Sequence, residues 1–175
     1  DYSAAYRTFL LTLTPSERDL SGFVFNGAFQ QGPSSRIFDW NIRQQPGVTV
    51  SMAQNSGDTD TGNNIGTGSG LSLGFSETPV LGVGVEQTLF LASGDYEIEF
   101  QASAFDAKLP KQLIWGIRCR NNGAQFLNID VPEGNYQNRV FEAAFSVPED
   151  CPLQVLGLRT NAIAESWSER YGGRL

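Results

Sequence analysis

From residue 23 onward, apolar and polar side chains alternate with a period of two, and turn residues interrupt the alternation at short intervals. Successive side chains of a β-strand point to opposite sides of a sheet, so this period is typical of strands with one buried face. Many short strands separated by Gly and Pro turns predict an antiparallel sandwich or barrel. The Asn122-Gly123 pair predicts a tight hairpin. The predicted strands occupy residues 23–29, 36–43, 47–53, 71–76, 83–91, 95–105, 112–120, 125–131, 139–147 and 153–160.

The first 22 residues follow a different pattern. Their apolar side chains have helical spacing, at Tyr6, Phe9, Leu10 and Leu13. Residues 14–17 then form a capping box with Pro15 at the first helical position. We expect two short helices, or a helix and a turn. The chain is accordingly divided into a helical lead-in at residues 1–22 and one sandwich domain at residues 23–175.

The composition excludes several function classes. The chain contains no His, which removes Ser-His-Asp and Cys-His catalysis, histidine-ligated zinc and a pH switch near neutrality. Its net charge is −7, so we expect no nucleic-acid binding, since phosphate contacts need clustered Lys and Arg. Its two lysines, Lys108 and Lys111, argue against a Schiff-base mechanism or a Walker-type loop. No apolar run has the length of about 18 residues that a membrane span requires.

The two cysteines, Cys119 and Cys151, do not make a zinc site. They form either one disulfide or two reduced, buried thiols, and their spacing alone does not decide between these alternatives. A disulfide would stabilise the fold by about 3–4 kcal/mol on the loop-entropy estimate.

Five short motifs follow one another along the chain. They are Asn26-Gly27-Ala28-Phe29, Phe38-Asp39-Trp40, Gly70-Leu71-Ser72-Leu73, Gln87-Thr88-Leu89 and Gly94-Asp95-Tyr96-Glu97-Ile98-Glu99-Phe100. This order resembles carbohydrate-binding modules of the galactose-binding-like jelly-roll class, families 4 and 9 in particular, over residues 23–175. The chain also looks like the C-terminal β-sandwich domain of bacterial tetratricopeptide-repeat proteins, and the helical lead-in would fit attachment to such an array.

The resemblance implies a jelly-roll β-sandwich that binds a carbohydrate without catalysis. Acidic residues that commonly help to hold a structural calcium ion in these modules are replaced here by Ala28, Gln30 and Gly172-Gly173. We therefore predict no cofactor and no metal site, with a structural calcium ion as the alternative. We also predict no enzymatic activity, because no pair of acidic residues is set apart for glycoside hydrolysis.

Aromatic rings are candidate ligand platforms, because the apolar C–H faces of sugars stack on Trp and Tyr. By alternation, Trp115 shares a side with apolar neighbours, and Trp40 follows Phe38, so both are assigned to the core. Tyr136 lies in a polar stretch and Trp167 among Ser and Glu. These two rings are the predicted platforms.

Polar side chains on the outward side of the predicted strands form a second candidate surface. They are Glu97, Glu99, Gln101, Arg118, Arg120, Glu142 and Arg159. They either line a concave face that binds sugar or form a solvated face with cross-strand ion pairs. The predicted ligand-binding members are Glu99, Gln101, Arg118 and Arg120. The two arginines suggest an acidic sugar, because a guanidinium matches the geometry of a carboxylate.

The sequence therefore predicts a non-catalytic carbohydrate-binding module, with a bacterial polysaccharide or oligosaccharide as its partner. The alternative is a protein-interaction or structural domain appended to a helical repeat protein, with a protein or the upstream repeats as partner and no sugar site. The acidity, the scarce Lys and the disulfide alternative favour an extracytoplasmic location, periplasmic or secreted.

Overall fold

The computed structural model describes residues 1–53, 69–76, 80, 82–109, 113–160 and 171–175. Within these ranges, two short helices precede ten strands. The elements are α1 (Tyr2–Thr12), α2 (Pro15–Arg18), β1 (Trp40–Ile42), β2 (Val48–Ala53), β3 (Gly70–Phe75), β4 (Val85–Leu89), β5 (Gly94–Lys108), β6 (Leu113–Cys119), β7 (Gln125–Asp130), β8 (Gly134–Val147), β9 (Gln154–Thr160) and β10 (Gly172–Arg174). The strand predicted at 36–43 is thus reduced to β1.

The strands form two five-stranded antiparallel sheets that pack as a sandwich. Sheet A has the strand order β1-β4-β9-β6-β7, and sheet B has the order β2-β3-β10-β5-β8. The eight strands β3 to β10 are divided between the sheets as in a jelly roll, with the hairpin β6-β7 within sheet A, and β1 and β2 each extend one edge. The predicted jelly-roll sandwich is confirmed.

The main apolar core lies between the two sheets. Its buried members include Phe145 of sheet B together with Ile117 and Leu158 of sheet A. Trp40 is only 2% exposed, and Trp115 packs against the same cluster. Both tryptophans therefore belong to the core, as the alternation predicts.

The predicted strand at residues 23–29 is wrong, because the chain turns there. Asn26 and Phe29 have φ angles of 49° and 53°, in the left-handed region that strands do not use. The side chain of Asn26 closes the turn. Its Oδ1 accepts hydrogen bonds from the backbone N–H groups of Gln30 and Gln31 at 2.8 and 3.3 Å, and its Nδ2 donates to the Gln31 carbonyl at 2.7 Å.

The helical lead-in packs against the sandwich. A second apolar cluster joins Phe9 and Leu13 of this segment to Phe25, Phe38 and Leu153. Of the two predicted alternatives, the segment contains two short helices, whereas the division of the chain after residue 22 stays a prediction. Among the described residues, no helix is both long and apolar enough to cross a membrane.

Cys119 and Cys151 are joined by a disulfide, and their Cα atoms are 5.7 Å apart. Cys119 ends β6, and Cys151 lies shortly before β9. Both are buried. Of the two alternatives left open by the sequence, the structure contains the disulfide.

Candidate functional site

The predicted polar site residues lie on opposite sides of the sandwich. Glu99 and Gln101 are exposed on β5 of sheet B, whereas Arg118 lies on β6 of sheet A and Arg120 follows that strand directly. The strands β5 and β6 are consecutive in the chain but belong to different sheets, so their outward faces point away from each other. The prediction that these four side chains line one face is corrected accordingly.

The outward face of β5 and β8 in sheet B is acidic. Glu99 stands directly opposite Glu142, and Gln101 stands opposite Val140. Like charges in opposite positions of two strands repel each other. Among the described residues, no ion pair compensates either glutamate. This surface fits the solvated-face alternative.

Of the two predicted aromatic platforms, the structure describes Tyr136, which lies in the other sheet from the two arginines. Tyr136 is on β8 of sheet B, where its half-buried ring packs against the core and the Arg139 guanidinium lies 5.9 Å from the ring centre. Burial raises the pKa of Tyr136, and the charge of Arg139 opposes this shift. Trp167 lies outside the described residues. A ligand-binding role for either ring stays a prediction.

The outward face of sheet A contains the same short motif on two neighbouring strands. It is Gly116-Ile117-Arg118 on β6 and Gly157-Leu158-Arg159 on β9. The two glycines are directly paired between the antiparallel strands. Each arginine lies two residues after its glycine on the same side, so the two arginines lie on opposite sides of the glycine pair. We call this surface the arginine face; its residues are Arg43, Glu86, Thr88, Gly116, Arg118, Arg120, Gln125, Asn128, Val155, Gly157 and Arg159.

One pocket covers the centre of the arginine face, and a second adjoins it on the side of β4. The first has a volume of about 180 Å³ and includes Gly116, Arg118 and Gly157. The second has a volume of about 330 Å³ and extends toward Arg43. Glu86 and Arg159 line both. The second volume lies near the lower end of the range of about 300–1,000 Å³ that is usual for small-molecule sites.

Glu86 connects two of the arginines. Its Oε1 lies 2.8 Å from Nη2 of Arg43, and its Oε2 lies 3.8 Å from Nη2 of Arg118. Arg120, in contrast, donates from Nη1 to the Thr88 hydroxyl at 2.7 Å. The face therefore contains both ion-paired arginines and an arginine held by a neutral group.

The side chain of Arg159 extends from β9 across the neighbouring strand β6. A Cβ atom built on Gly116 would be 3.0 Å from Nε of Arg159, so the glycine makes room for the guanidinium. Nη2 of Arg159 donates to Gln125 Oε1 at 2.8 Å and to Asn128 Oδ1 at 2.5 Å. Burial, and in second place the positive charge of Arg118, lowers the pKa of Arg159. Among the described residues, nothing accepts a hydrogen bond from its buried Nε.

Sequence reasoning missed Glu86, Asn128 and the glycine pair. A glycine inside a strand often marks a site where a ligand or another backbone approaches closely. Gly116 and Gly157 carry that signal in otherwise apolar strands. Among the described residues, no group of three or more His, Cys, Asp or Glu side chains is placed to hold a metal ion.

Comparisons with known proteins give only distant similarities. No protein-family model and no curated protein matches the sequence. The enzymatically active domain of bacteriophage CBA120 tailspike protein 4 matches 87% of this chain with 19% identity and a TM-score of 0.53. This chain spans 20% of that domain, and the likeness concerns the fold alone. A carbohydrate-binding module from Cellvibrio mixtus lichenase 5A, solved with cellotriose, matches 79% of this chain and 95% of its own length at 14% identity, with a TM-score of 0.38.

Proposed function

We propose that this protein is a non-catalytic carbohydrate-binding module whose ligand site is the arginine face. The observation that carries the proposal is the pocket over Gly116 and Gly157, which adjoins a second pocket and is bordered by donors and acceptors on neighbouring strands. Sugars are recognised by a few well-placed polar groups in a shallow, partly apolar depression. Val155 supplies an apolar floor to the first pocket, and it is only 5% exposed although it belongs to neither core cluster.

The proposed absence of catalysis rests on the carboxylates of the face. Glycoside hydrolases generally place two carboxyl groups about 5–9.5 Å apart around the scissile bond. Among the described residues that line the two pockets, Glu86 is the one carboxylate, and Arg43 and Arg118 hold it in ion pairs. Within the described lining of the two pockets, it therefore has no second carboxyl group with which to divide the roles of acid and nucleophile.

The experiment is an NMR titration of the whole chain with a panel of neutral and acidic oligosaccharides, with and without calcium. We expect saturable shifts of Gly116, Asn128 and Gly157. Shifts centred on Glu99 and Gln101 would place the site on sheet B instead. No shift with any saccharide at millimolar concentration would overturn the proposed function.

The second candidate function is a protein-interaction domain without a sugar site. The observation that favours it is Leu11 of α1, an apolar side chain that is 80% exposed. Exposed apolar patches mark protein contacts when they are contiguous and large. A titration that is silent for every saccharide would favour this candidate, whose test is the variant Leu11→Ser in an assay of self-association.

The attachment to helical repeats and the bacterial ligand both stay predictions, as does the extracytoplasmic location, which the disulfide supports.

A further inference from the structure

We infer that the arginine face selects anionic saccharides and holds their acidic group between Arg118 and Arg159; the inference rests on the proposed carbohydrate-binding function. The two arginines come from antiparallel neighbouring strands and flank the paired Gly116 and Gly157. Both line the pocket above that pair. An acidic group seated there meets a guanidinium from each strand.

The positive charge of the arginine face is only partly compensated. Glu86 is shared between Arg43 and Arg118, at 2.8 and 3.8 Å. Among the described residues, no carboxylate forms an ion pair with Arg120 or Arg159, which are bonded to a hydroxyl and to two amides. Four guanidinium groups therefore share this side of sheet A with two carboxylates, the ion-paired Glu86 and the exposed Asp130 of β7.

The rest of the molecule has the opposite charge. The whole chain has a net charge of −7. Asp95, Glu97, Glu99 and Glu142 are exposed on sheet B, on the other side of the sandwich. The net negative charge of the molecule therefore repels polyanions. An anionic saccharide thus has to be attracted by the arginine face itself.

Arg159 has a donor left for a ligand. Both of its hydrogen bonds use Nη2, and its Nη1 has no acceptor among the described residues. A guanidinium presents five N–H donors in a planar fork that fits a carboxylate or a sulfate in two-point contact. An anion between Arg118 and Arg159 would also offset the repulsion between their like charges.

The arginine face lacks the other common means of holding a sugar. Among the described residues that line its two pockets there is no Trp, Tyr or Phe on which a neutral pyranose could stack. Trp40 and Trp115 are part of the core, where their ring centres are 6.0 Å apart. Charged hydrogen bonds are therefore the dominant attraction that this face offers.

The test compares two ligands that differ in the charge of their carboxyl groups and in the methyl group that neutralises it. Oligogalacturonate and its methyl ester, of the same length, are titrated into the whole chain by calorimetry at low and high salt. We expect at least about tenfold tighter binding of the acid, because hydrogen bonds to charged groups are stronger than those to neutral ones. We also expect this preference to shrink at high salt. A sulfated oligosaccharide forms a further arm, which distinguishes a carboxylate from a sulfate as the bound group.

Three variants locate the effect. Arg118→Gln and Arg159→Gln should each weaken binding of the acid about tenfold and leave the ester unchanged. Arg7→Gln on the exposed surface of α1 removes the same charge elsewhere and should change neither. Thermal unfolding checks each variant. If Arg159→Gln loses its fold together with its bonds to Gln125 and Asn128, Arg118→Gln decides the test.

Failure of the inference differs from failure of the proposed function. Equal binding of acid and ester, unaffected by Arg118→Gln, would overturn the inference and leave a carbohydrate-binding module. Equal weakening by Arg7→Gln and Arg118→Gln would also overturn it, because net charge rather than this face would then control binding. Binding of no saccharide in any arm would overturn both.

Discussion

Gly116 and Gly157 are directly paired between β6 and β9, yet their surroundings differ. A Cβ atom on Gly116 would be 3.0 Å from Nε and 3.1 Å from Nη2 of Arg159, at the end of a flexible side chain. A Cβ atom on Gly157 would be 3.0 Å from the carbonyl oxygen of Val85, in the backbone of β4. The first glycine thus makes room for the side chain of Arg159, whereas the second permits close approach of a strand.

The matched variants Gly116→Ala and Gly157→Ala should therefore separate binding from stability. In Gly116→Ala the Arg159 side chain can move aside, so we expect weakened ligand binding and a nearly unchanged free energy of unfolding. In Gly157→Ala the backbone has to shift, at a cost of about 1–3 kcal/mol. Urea unfolding and ligand titration of both variants measure the two quantities. Equal unfolding midpoints for the two variants would contradict this assignment.

The disulfide should contribute substantially to stability. It links Cys119 and Cys151 across a separation of 32 residues, between the end of β6 and the segment before β9. A disulfide that closes a loop of this length lowers the entropy of the unfolded chain and stabilises the folded state by about 3–4 kcal/mol. We expect the double variant Cys119→Ala/Cys151→Ala to lose about this much free energy of unfolding. Wild-type protein unfolded with and without a reductant provides the comparison, and a reductant effect that persists in the double variant would contradict the assignment.

The local parts of the fold were predictable, and the pairing of strands was not. Alternation placed Ile117 inward and Arg118 outward, because that choice depends only on neighbours along one strand. It could not place Glu99 and Arg118 on opposite faces, because sheet membership depends on distant pairings such as Glu86 with Gly157. The arginine face is assembled from such pairings, so its members were recognisable singly but not as a group.

Asn26 should be a sensitive position, because it combines a left-handed backbone with buried hydrogen bonds. It is 2% exposed, its φ angle is 49°, and its carbonyl accepts a bond from Nε1 of Trp40 at 3.0 Å. Asn26→Gly keeps the backbone conformation and removes the side-chain bonds, so we expect a loss of about 1–3 kcal/mol. Asn26→Ala adds backbone strain of about 1–2 kcal/mol. Denaturant unfolding of both measures the difference, and equal stability of the two would show that strain is absent.

The carboxylate of Glu17 should make the stability of the helical segment depend on pH. Its Oε2 accepts from the backbone N–H of Thr14 at 2.8 Å in the capping box of α2, and the Arg36 guanidinium donates to both of its oxygens. These bonds, first that with Arg36 and then that with Thr14, lower the pKa of Glu17 from 4.5 to about 2. A carboxyl group whose pKa is lower in the folded state stabilises the fold at pH values above its pKa in the unfolded state. The contribution is therefore complete above about pH 5 and is lost as the pH falls from 4.5 through about 2.

The variant Glu17→Gln isolates this contribution, because its side chain keeps a hydrogen-bonding oxygen but cannot ionise. Unfolding of wild type and variant is followed between pH 6 and pH 2. The stability advantage of the wild type should be constant near pH 6, diminish below about pH 4.5 and approach zero near pH 2. Glu149→Gln, in the exposed turn after β8, provides the matched control. An advantage of Glu17 that stays constant down to pH 2 would mean that its ionised form is not what stabilises α2 and Arg36.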